Sequence, residues 1–275
     1  HNNWYQSSSY FLSSFALITS VSEDGVTSIG PYQLSFPFGV IERREVIVIS
    51  RRGSNTSTNL KRVKKCAMNW VEYDRSKVKN IVDLGYPGQE PVEKMEDCPY
   101  ELEETPTEAF RDDPDRPKVI KDAFQVFECE LNDNPDDFYY KGTEHTEYLL
   151  LKLNNIYLRE RWRNNLDLGD DMKIPNMPIS FGFRNANQFW FAKHKKPFWL
   201  PTPEGKGAAH DAVMYIGNRI DPEINFTENA CKQLTGVPKV FVKTVLKGII
   251  KEAKQEGVTV IDEAFVKKVN ENRNK

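Results

Sequence analysis

The sequence has few of the features that mark membrane, secreted or metal-binding proteins. No apolar run approaches the roughly 20 residues that a helix needs to cross a bilayer, and no charged-then-apolar secretory leader is visible. The four cysteines lie far apart, without a C-x-x-C pair, which argues against a disulfide framework or a zinc module. These absences predict a cytoplasmic protein with reduced thiols and no membrane association.

Familiar catalytic motifs are also missing. The chain has no G-x-S-x-G elbow, no G-x-x-x-x-G-K-[ST] loop and no H-E-x-x-H pair. The run from Gly205 to His210 begins like a dinucleotide fingerprint, but it lacks the third glycine and follows prolines instead of a strand. His145, His194 and His210 share no ligand spacing. The sequence therefore predicts no catalytic side chain and no metal ligand.

Net charge is close to zero, with 38 Lys and Arg against 40 Asp and Glu, but it is unevenly spread. Residues 90–115 hold eleven acids and only Lys94 and Arg111 as bases, so they form either a solvated acidic loop or a docking surface for a basic partner.

The C-terminal tail is basic. Residues 235–275 carry nine bases and five acids. That excess supports only weak, salt-sensitive contact with nucleic acid, and no aromatics are interleaved for stacking, so nucleic acid is not an expected partner.

Most of the first 200 residues read as β-strands. Apolar, β-branched and alternating runs predict strands at residues 14–21, 26–29, 45–50, 66–71, 123–131 and 147–158, and a hairpin over 179–193. Ser, Thr and Asn ahead of Leu60 and Val63 predict a short helix that begins near residue 55.

The C-terminal part of the chain reads as helical. After Pro238, apolar residues recur at spacings of three and four as far as Ala253, which predicts an amphipathic helix capped at Gly257. Thr259 and Asp262 resemble a capping box, and a shorter helix is expected to follow. The tail is thus expected to be a basic helical hairpin.

The residues from Ser50 to Asn59 (SRRGSNTSTN) join a buried strand to the start of a helix. They supply two guanidinium groups, several hydroxyls and side-chain amides. Free N–H groups at a helix start, hydroxyl donors and arginine together suit a phosphate group. The alternative is a simply capped helix, which needs only one of these hydroxyls.

A second segment, residues 28–39 (SIGPYQLSFPFG), directly follows the first predicted hairpin. Gly30 and Pro31 favour irregular backbone with unpaired N–H and C=O groups, while Tyr32, Phe36 and Phe38 supply flat apolar surface. Such a loop suits an aromatic heterocycle with hydrogen-bonding edges. Ordinary loop packing is the alternative.

Taken in order, the hairpin, the Gly-Pro-Tyr loop ending in Phe-Pro-Phe, the buried strand and the run RRGSNTSTNL resemble the flavin reductase-like family of FMN-binding split barrels, which includes flavoredoxins. The resemblance covers residues 10–200. It implies a mainly β fold with α-helices, in which an FMN-binding split β-barrel is joined to a small helical domain at the C-terminus.

The family assigns roles to both segments. Its loop after the second strand contacts the isoalloxazine ring, which here implies Gly30, Pro31, Tyr32, Gln33 and Leu34. Its strand-to-helix segment holds the FMN phosphate, which here implies Ser50, Arg51, Ser54, Asn55, Thr56 and Thr58. The hairpin that contains Arg184 and Trp190 resembles the family's closing segment, which lies near the flavin in the dimer.

The resemblance further implies a flavoprotein oxidoreductase, active as a homodimer, that takes hydride from NADH or NADPH onto flavin. Because the cofactor of a flavin enzyme carries the redox chemistry, the missing acid–base pairs agree with this interpretation. One alternative is a flavin-binding or partner-interaction module without turnover that uses the basic helical tail. Another sets flavin aside and treats the tail as a nucleic-acid contact.

The tail has a likeness of its own. Gly236-Val237-Pro238 and the later run Gly257-Val258-Thr259-Val260-Ile261 are similar to the small helical domain that ends the light-independent protochlorophyllide reductase B subunit. That likeness implies a compact helical module without pigment chemistry. We therefore expect an FMN-binding split-barrel domain at residues 1–200 with an acidic insertion at about 86–118, a linker at 201–234, and a small helical domain at 235–275.

Overall fold

The computed structural model describes residues 12–39, 43–86, 88–134, 136–168, 174–185, 188–195 and 210–273. The chain divides into two compact units, His1–Pro197 and Phe198–Lys275. Within the described residues, no helix has the length and apolar character needed to cross a membrane.

The first unit is built on an antiparallel sheet with helices at its edges. Its described strands are β1 (Ala16–Val21), β2 (Thr27–Tyr32), β3 (Ser35–Phe38), β4 (Glu45–Arg51), β5 (Lys65–Val71), β6 (Leu102–Glu103), β7 (Val119–Ile120), β8 (Ala123–Asn132), β9 (Thr146–Leu158), β10 (Pro178–Asn185) and β11 (Gln188–Lys193). Its described helices are α1 (Asn55–Val63), α2 (Arg75–Gly85), α3 (Pro91–Glu96) and α4 (Glu160–Leu168). The strands predicted for this part of the sequence are confirmed, with small shifts at their ends. The irregular backbone expected at Gly30 and Pro31 is wrong, because both residues continue β2 in register with β1, and Ser35–Phe38, also expected to be loop, form β3.

Seven of these strands form one sheet in the order β2-β1-β5-β8-β9-β4-β3. β1 is buried along its whole length, because its alternate side chains enter two different cores. Leu17 packs with Ile29 on one face, and Ile18 packs with Val48 and Leu60 on the other. This burial on both faces explains why apolar side chains stand at adjacent positions of β1, as at Leu17 and Ile18.

The sheet curls so that its two edges come together. β2 and β3 are the edge strands, yet only two residues separate Tyr32 from Ser35. The N–H of Ile49 in β4 donates to the carbonyl of Leu34 in that link, at 2.9 Å. The result is a half-barrel in which the loop after β2 lies beside the end of β4.

Helix α1 fills one opening of this half-barrel, and both of its ends are capped. Ser54 is the N-cap, its hydroxyl accepting from the N–H of Ser57, and Lys64 ends the helix with a left-handed φ of 63°. The buried side chains Leu60 and Val63 hold the helix to the unit. The predicted helix near residue 55 is confirmed.

The acidic segment is more ordered than a solvated loop. It contains α3, β6 and a 3-10 turn at Glu108–Phe110, it buries Tyr100, and its β6 pairs with β7, which follows the segment. Several of its acids are paired, as in the contact of Asp113 with Lys65 at 2.7 Å. Helix α2 precedes it and was not predicted, although the buried residues Val78, Ile81 and Leu84 recur at helical spacing.

The second unit is a small helical body with its own core. It contains α5 (His210–Ile220), β12 (Asn225–Phe226), α6 (Glu228–Gln233), α7 (Lys239–Glu256), β13 (Val260–Ile261) and α8 (Glu263–Arg273). β12 and β13 pair in parallel. The predicted helix after Pro238 is confirmed, and Gly257 ends it with a φ of 69°.

Two features of the second unit differ from the sequence expectation. Residues 210–234, expected to be linker, form α5, β12 and α6, and they contribute Val213 and Phe226 to the same core as Leu246. The unit is therefore larger than the expected two-helix hairpin, because the apolar stripe of α7 needs α5 and α6 to bury it. Thr259 is not part of a capping box, since the Asp262 carboxylate alone accepts from the N–H of Phe265, at 2.8 Å.

Candidate functional site

A cavity of about 520 Å³ opens in the first unit beside the loop after β2. Its walls come from β2 and the residues after it, the start of α1, the end of α2, α3 and the β10–β11 hairpin. The lining residues are Phe15, Ser28, Ile29, Gly30, Pro31, Tyr32, Gln33, Leu34, Ile49, Arg51, Ser54, Asn55, Thr56, Ile81, Val82, Leu84, Gly85, Tyr86, Gly88, Lys94, Ser180, Phe189 and Phe191. Both segments singled out in the sequence therefore face one space.

The two segments touch each other at Gly30. A Cβ placed on Gly30 would lie closer than 3.0 Å to Thr56 Oγ1, at the start of α1, and 3.0 Å from Tyr32 Cε2. Only glycine allows this approach without displacing a neighbour. Pro31 packs on the other side, where a Cβ on Gly85 at the end of α2 would meet its Cγ at 3.1 Å.

Three hydroxyls tie the end of β2, where the following loop begins, to the turn before α1. Tyr32 Oη lies 3.1 Å from Ser50 Oγ and 3.0 Å from Ser54 Oγ, and the two serine oxygens are 2.9 Å apart. Ser54 also caps α1. The triangle fixes the helix start relative to the loop, because each hydroxyl both donates and accepts.

The first turn of α1 presents hydrogen-bond donors toward the cavity. The N–H groups of Asn55 and Thr56 have no acceptor among the described residues, whereas that of Ser57 is taken by the cap. The Thr56 side chain is buried and lines the cavity. Unpaired N–H groups at a helix start, with the positive end of the helix dipole, attract an anion.

A buried carboxylate supports this turn from behind. Glu147 on β9 is 2% exposed, and it accepts from Gly53 N–H at 3.3 Å, from Ser57 Oγ and from Lys61 Nζ. Burial works to raise the pKa of Glu147, but the bonds from Lys61, Ser57 and Gly53 outweigh it and hold that pKa below its usual range. Glu147 is thus ionised, and it fixes the turn through Gly53 and Ser57.

Two cations line the cavity, and sequence reasoning found only one of them. Arg51 ends β4, as expected, but Lys94 comes from α3 within the acidic segment. Burial, and then the charge of Arg51, lower the pKa of Lys94. The available signal was that Lys94 is one of only two bases among eleven acids in residues 90–115.

The rest of the lining is largely apolar and aromatic. Phe15, Ile81 and Leu84 are buried in the core beneath it, and Phe191 packs edge-on against Phe15 with ring centroids 5.8 Å apart. Phe189 stacks at a tilt on Phe191, 4.8 Å away. These residues were not predicted, because their contribution depends on α2 and on the docking of the β10–β11 hairpin.

The predicted loop residue Gln33 anchors that hairpin. Its side-chain amide donates to the carbonyl of Ser180 at 3.3 Å, and its Oε1 accepts from Ser180 Oγ at 3.1 Å. Ser13 adds a bond from its hydroxyl to the Gln33 carbonyl at 3.1 Å. Gln33 therefore faces the cavity while holding β10 beside the loop.

Three predicted site residues, Ser50, Thr58 and Trp190, are not part of the cavity lining. Ser50 is buried behind it in the hydroxyl triangle. Thr58 is exposed on the far side of the first helical turn, and Trp190 is 55% exposed on β11. In both cases the neighbouring residues, Thr56 and Phe191, face inward instead. Arg184 lies in β10, but its side chain is outside the described residues.

The lining fits one kind of ligand. Cations, hydroxyls and free N–H groups cluster around the first turn of α1, and the flat apolar surface lies along β2, α2 and the hairpin. A ligand with an anionic group at one end and an aromatic heterocycle at the other would match both parts. No cluster of side chains suited to holding a metal ion is present among the described residues.

Comparison with solved structures identifies the fold. The chain is similar to a 2-nitrobenzoate 2-nitroreductase from Pseudomonas fluorescens, with a TM-score of 0.54, 17% identity, and 70% of this chain and 85% of that chain covered. It is similar to nitrilotriacetate monooxygenase component B from Bacillus cereus, with a TM-score of 0.52, 17% identity, and coverage of 72% and 93%. An FMN-binding protein from Thermus thermophilus gives a TM-score of 0.51 at 10% identity, with coverage of 70% and 91%.

These likenesses establish a split-barrel fold of the kind found in flavin reductases, as the sequence predicted. At these identities they show the fold alone. No protein-family model and no curated protein sequence matches the chain.

Proposed function

We propose that the first unit is the FMN-binding domain of a flavin-dependent oxidoreductase. The observation that carries the proposal is the cavity, which joins a cationic, donor-rich helix start to an apolar aromatic wall. Solved structures with the same fold include an FMN-binding protein and a flavoredoxin. A phosphate monoester on an aromatic ring system is the ligand that this lining suits.

The ligand's two ends have separate partners in this proposal. Asn55 and Thr56 N–H, the Thr56 hydroxyl and Arg51 would hold the phosphate. The loop from Gly30 to Leu34 would lie against the ring, where its backbone N–H groups would donate to the ring's polar edge. Because Gly30 has no Cβ, the Thr56 side chain can lie directly against it. The contacts to the phosphate and the contacts to the ring would therefore lie close together.

The redox chemistry belongs to the flavin, which, when bound, accepts hydride from NADH or NADPH and passes electrons to an acceptor. The chain's residues bind, orient and shield it. The aromatic wall of Phe15, Phe189 and Phe191 would exclude water from one side of the site, which strengthens the hydrogen bonds within it. The proposed reaction needs no side chain that acts as a nucleophile or a general acid.

We further propose a homodimer with the flavin near the subunit interface. Trp190 supports this arrangement, because a large aromatic side chain that is 55% exposed beside the cavity-lining residues Phe189 and Phe191 suits contact with a second subunit. The four cysteine thiols are all free, which supports a reducing, cytoplasmic location.

The division into two units supports two domains, with the second unit as a compact helical module. Its lysines at 243, 247 and 251 lie one turn apart on α7, are exposed, and have no acidic partner among the described residues. This surface favours the second candidate function, a flavin-binding module without turnover whose helical part contacts a partner.

Two measurements test these proposals. Purified protein should be yellow or should quench the fluorescence of added FMN, and the absence of both would refute flavin binding. NADH or NADPH should then bleach the flavin absorbance near the visible maximum under anaerobic conditions. A yellow protein that neither nicotinamide bleaches would exclude the nicotinamide-dependent reductase and favour electron transfer or simple binding.

A further inference from the structure

Lys94 occupies a position that its local sequence does not favour. Residues 90–115 contain eleven acids, and neighbouring bases in the structure pair with them, as Lys118 does with Glu104 at 2.7 Å. Lys94 instead lines the cavity beside Arg51, and neither cation has an acidic partner among the described residues. Placing two cations together in a partly buried space costs free energy unless an anion joins them.

The ammonium group of Lys94 is held in place by backbone carbonyls. It donates to the carbonyl of Leu84, at 3.1 Å, and to that of Tyr86. These groups belong to the C-terminal end of α2, where the helix dipole favours a cation. An ammonium group has three N–H donors, so two fix its position and the third is left for a ligand.

The same segment also reaches the start of α1. Asn55 Nδ2 donates to the carbonyl of Gln89 at 3.1 Å. Gln89 thus touches the predicted phosphate cradle at Asn55, and Lys94 lines the same cavity as Arg51. The positive charge of Lys94 therefore attracts an anion to the same place as the free N–H groups at the start of α1, and it does not face solvent.

We propose that Lys94 is a specificity-determining residue that makes this site select phosphorylated flavin over unphosphorylated flavin, by pairing with Arg51 around the phosphate group. The proposal rests on the proposed function of the cavity. The acidic segment would then form part of the binding site. It would be neither a solvated loop nor a docking surface for a basic partner.

The test compares FMN with riboflavin, which differ only in the phosphate. Fluorescence titrations use the whole chain, the variant Lys94→Gln, and the charge-matched control Lys118→Gln, whose residue is exposed and outside the cavity. Lys94→Gln should weaken FMN binding by about tenfold to a hundredfold, the effect of losing one charge-assisted hydrogen bond. Riboflavin binding should stay unchanged in all three proteins, and Lys94→Arg should restore most of the FMN affinity.

The outcomes separate the two proposals. If the unaltered chain binds neither flavin, the proposed function fails. If it binds both equally well, or if Lys94→Gln leaves FMN affinity intact, flavin binding stands and the role of Lys94 is refuted. If Lys94→Gln weakens FMN and riboflavin equally, Lys94 only supports the fold through Leu84 and Tyr86, which also overturns the proposal.

Discussion

Gly30→Ala tests whether β2 and the start of α1 are in direct contact. The new methyl group would lie closer than 3.0 Å to Thr56 Oγ1 and at 3.0 Å from Tyr32 Cε2. Overpacking of this kind costs about 1–3 kcal/mol, and the reduced freedom of the unfolded chain returns about 0.4–1 kcal/mol. We expect a net loss of about 1–2 kcal/mol in the free energy of unfolding.

The second substitution identifies the cause. With Thr56→Ala, the remaining Cβ would lie 3.5 Å from the new methyl group, which is ordinary van der Waals contact. The double variant should therefore lose about 1–3 kcal/mol less than the sum of the single losses in a double-mutant cycle. Urea unfolding of the four proteins, followed by circular dichroism, measures this coupling.

A control and a contrary result complete the experiment. Gly236 has open space where a Cβ would be placed, so Gly236→Ala should change the unfolding free energy by less than about 0.5 kcal/mol. Additive losses at Gly30 and Thr56 would mean that the two segments do not meet as described, and the shared cavity would lose its geometric basis.

Three further predictions concern the cradle, its support and the second unit. Thr56→Val should weaken FMN binding about tenfold, since it removes a buried donor, whereas Thr58→Val should not; the reverse result in a fluorescence titration would move the cradle to the other helix face. Glu147→Gln should lower the unfolding free energy at neutral pH by about 1–3 kcal/mol. Because folding lowers the pKa of Glu147, its stabilisation is present above the unfolded-state pKa and is lost as pH falls through the folded-state value; a difference between the two proteins that persists undiminished at low pH would contradict this. Leu246→Ala, at a fully buried position, should cost about 2–5 kcal/mol, while Phe241→Ala, at an exposed one, should change little by the same denaturation assay.

The predictable parts of the site were those encoded by contiguous residues. The Ser, Thr and Asn run ahead of Leu60 predicts a helix start near residue 55, and the structure has the N-cap at Ser54. The physical cause lies within a few residues of the signal. At Gly30 and Pro31 the predicted irregular backbone is wrong, because both residues pair with β1 inside β2; a glycine is needed there for the close approach to Thr56.

Thr58 and Trp190 are outside the cavity lining for a common physical reason. Thr58 is two residues from Thr56, and Trp190 is adjacent to Phe191. Both Thr56 and Phe191 face the cavity. Composition identifies a segment, but the face of a helix or strand that points inward depends on what packs against it. The linker expectation is wrong for residues 210–234 for a similar reason: their few apolar side chains, such as Val213 and Phe226, form a core only together with α7.

The sequence by itself determined the strands, the helix after β4, the C-terminal helix and the chemical character of the two segments that line the cavity, since hydrophobic period and capping residues act locally. Only the tertiary structure decided that these segments share one space, because the curl of the sheet brings β2 to the end of β4. It also decided that Lys94, from the most acidic part of the chain, lies beside Arg51. The position of Lys94 depends on carbonyls at the end of α2, about ten residues before it in the chain, and the local composition of residues 90–115 favours the opposite environment.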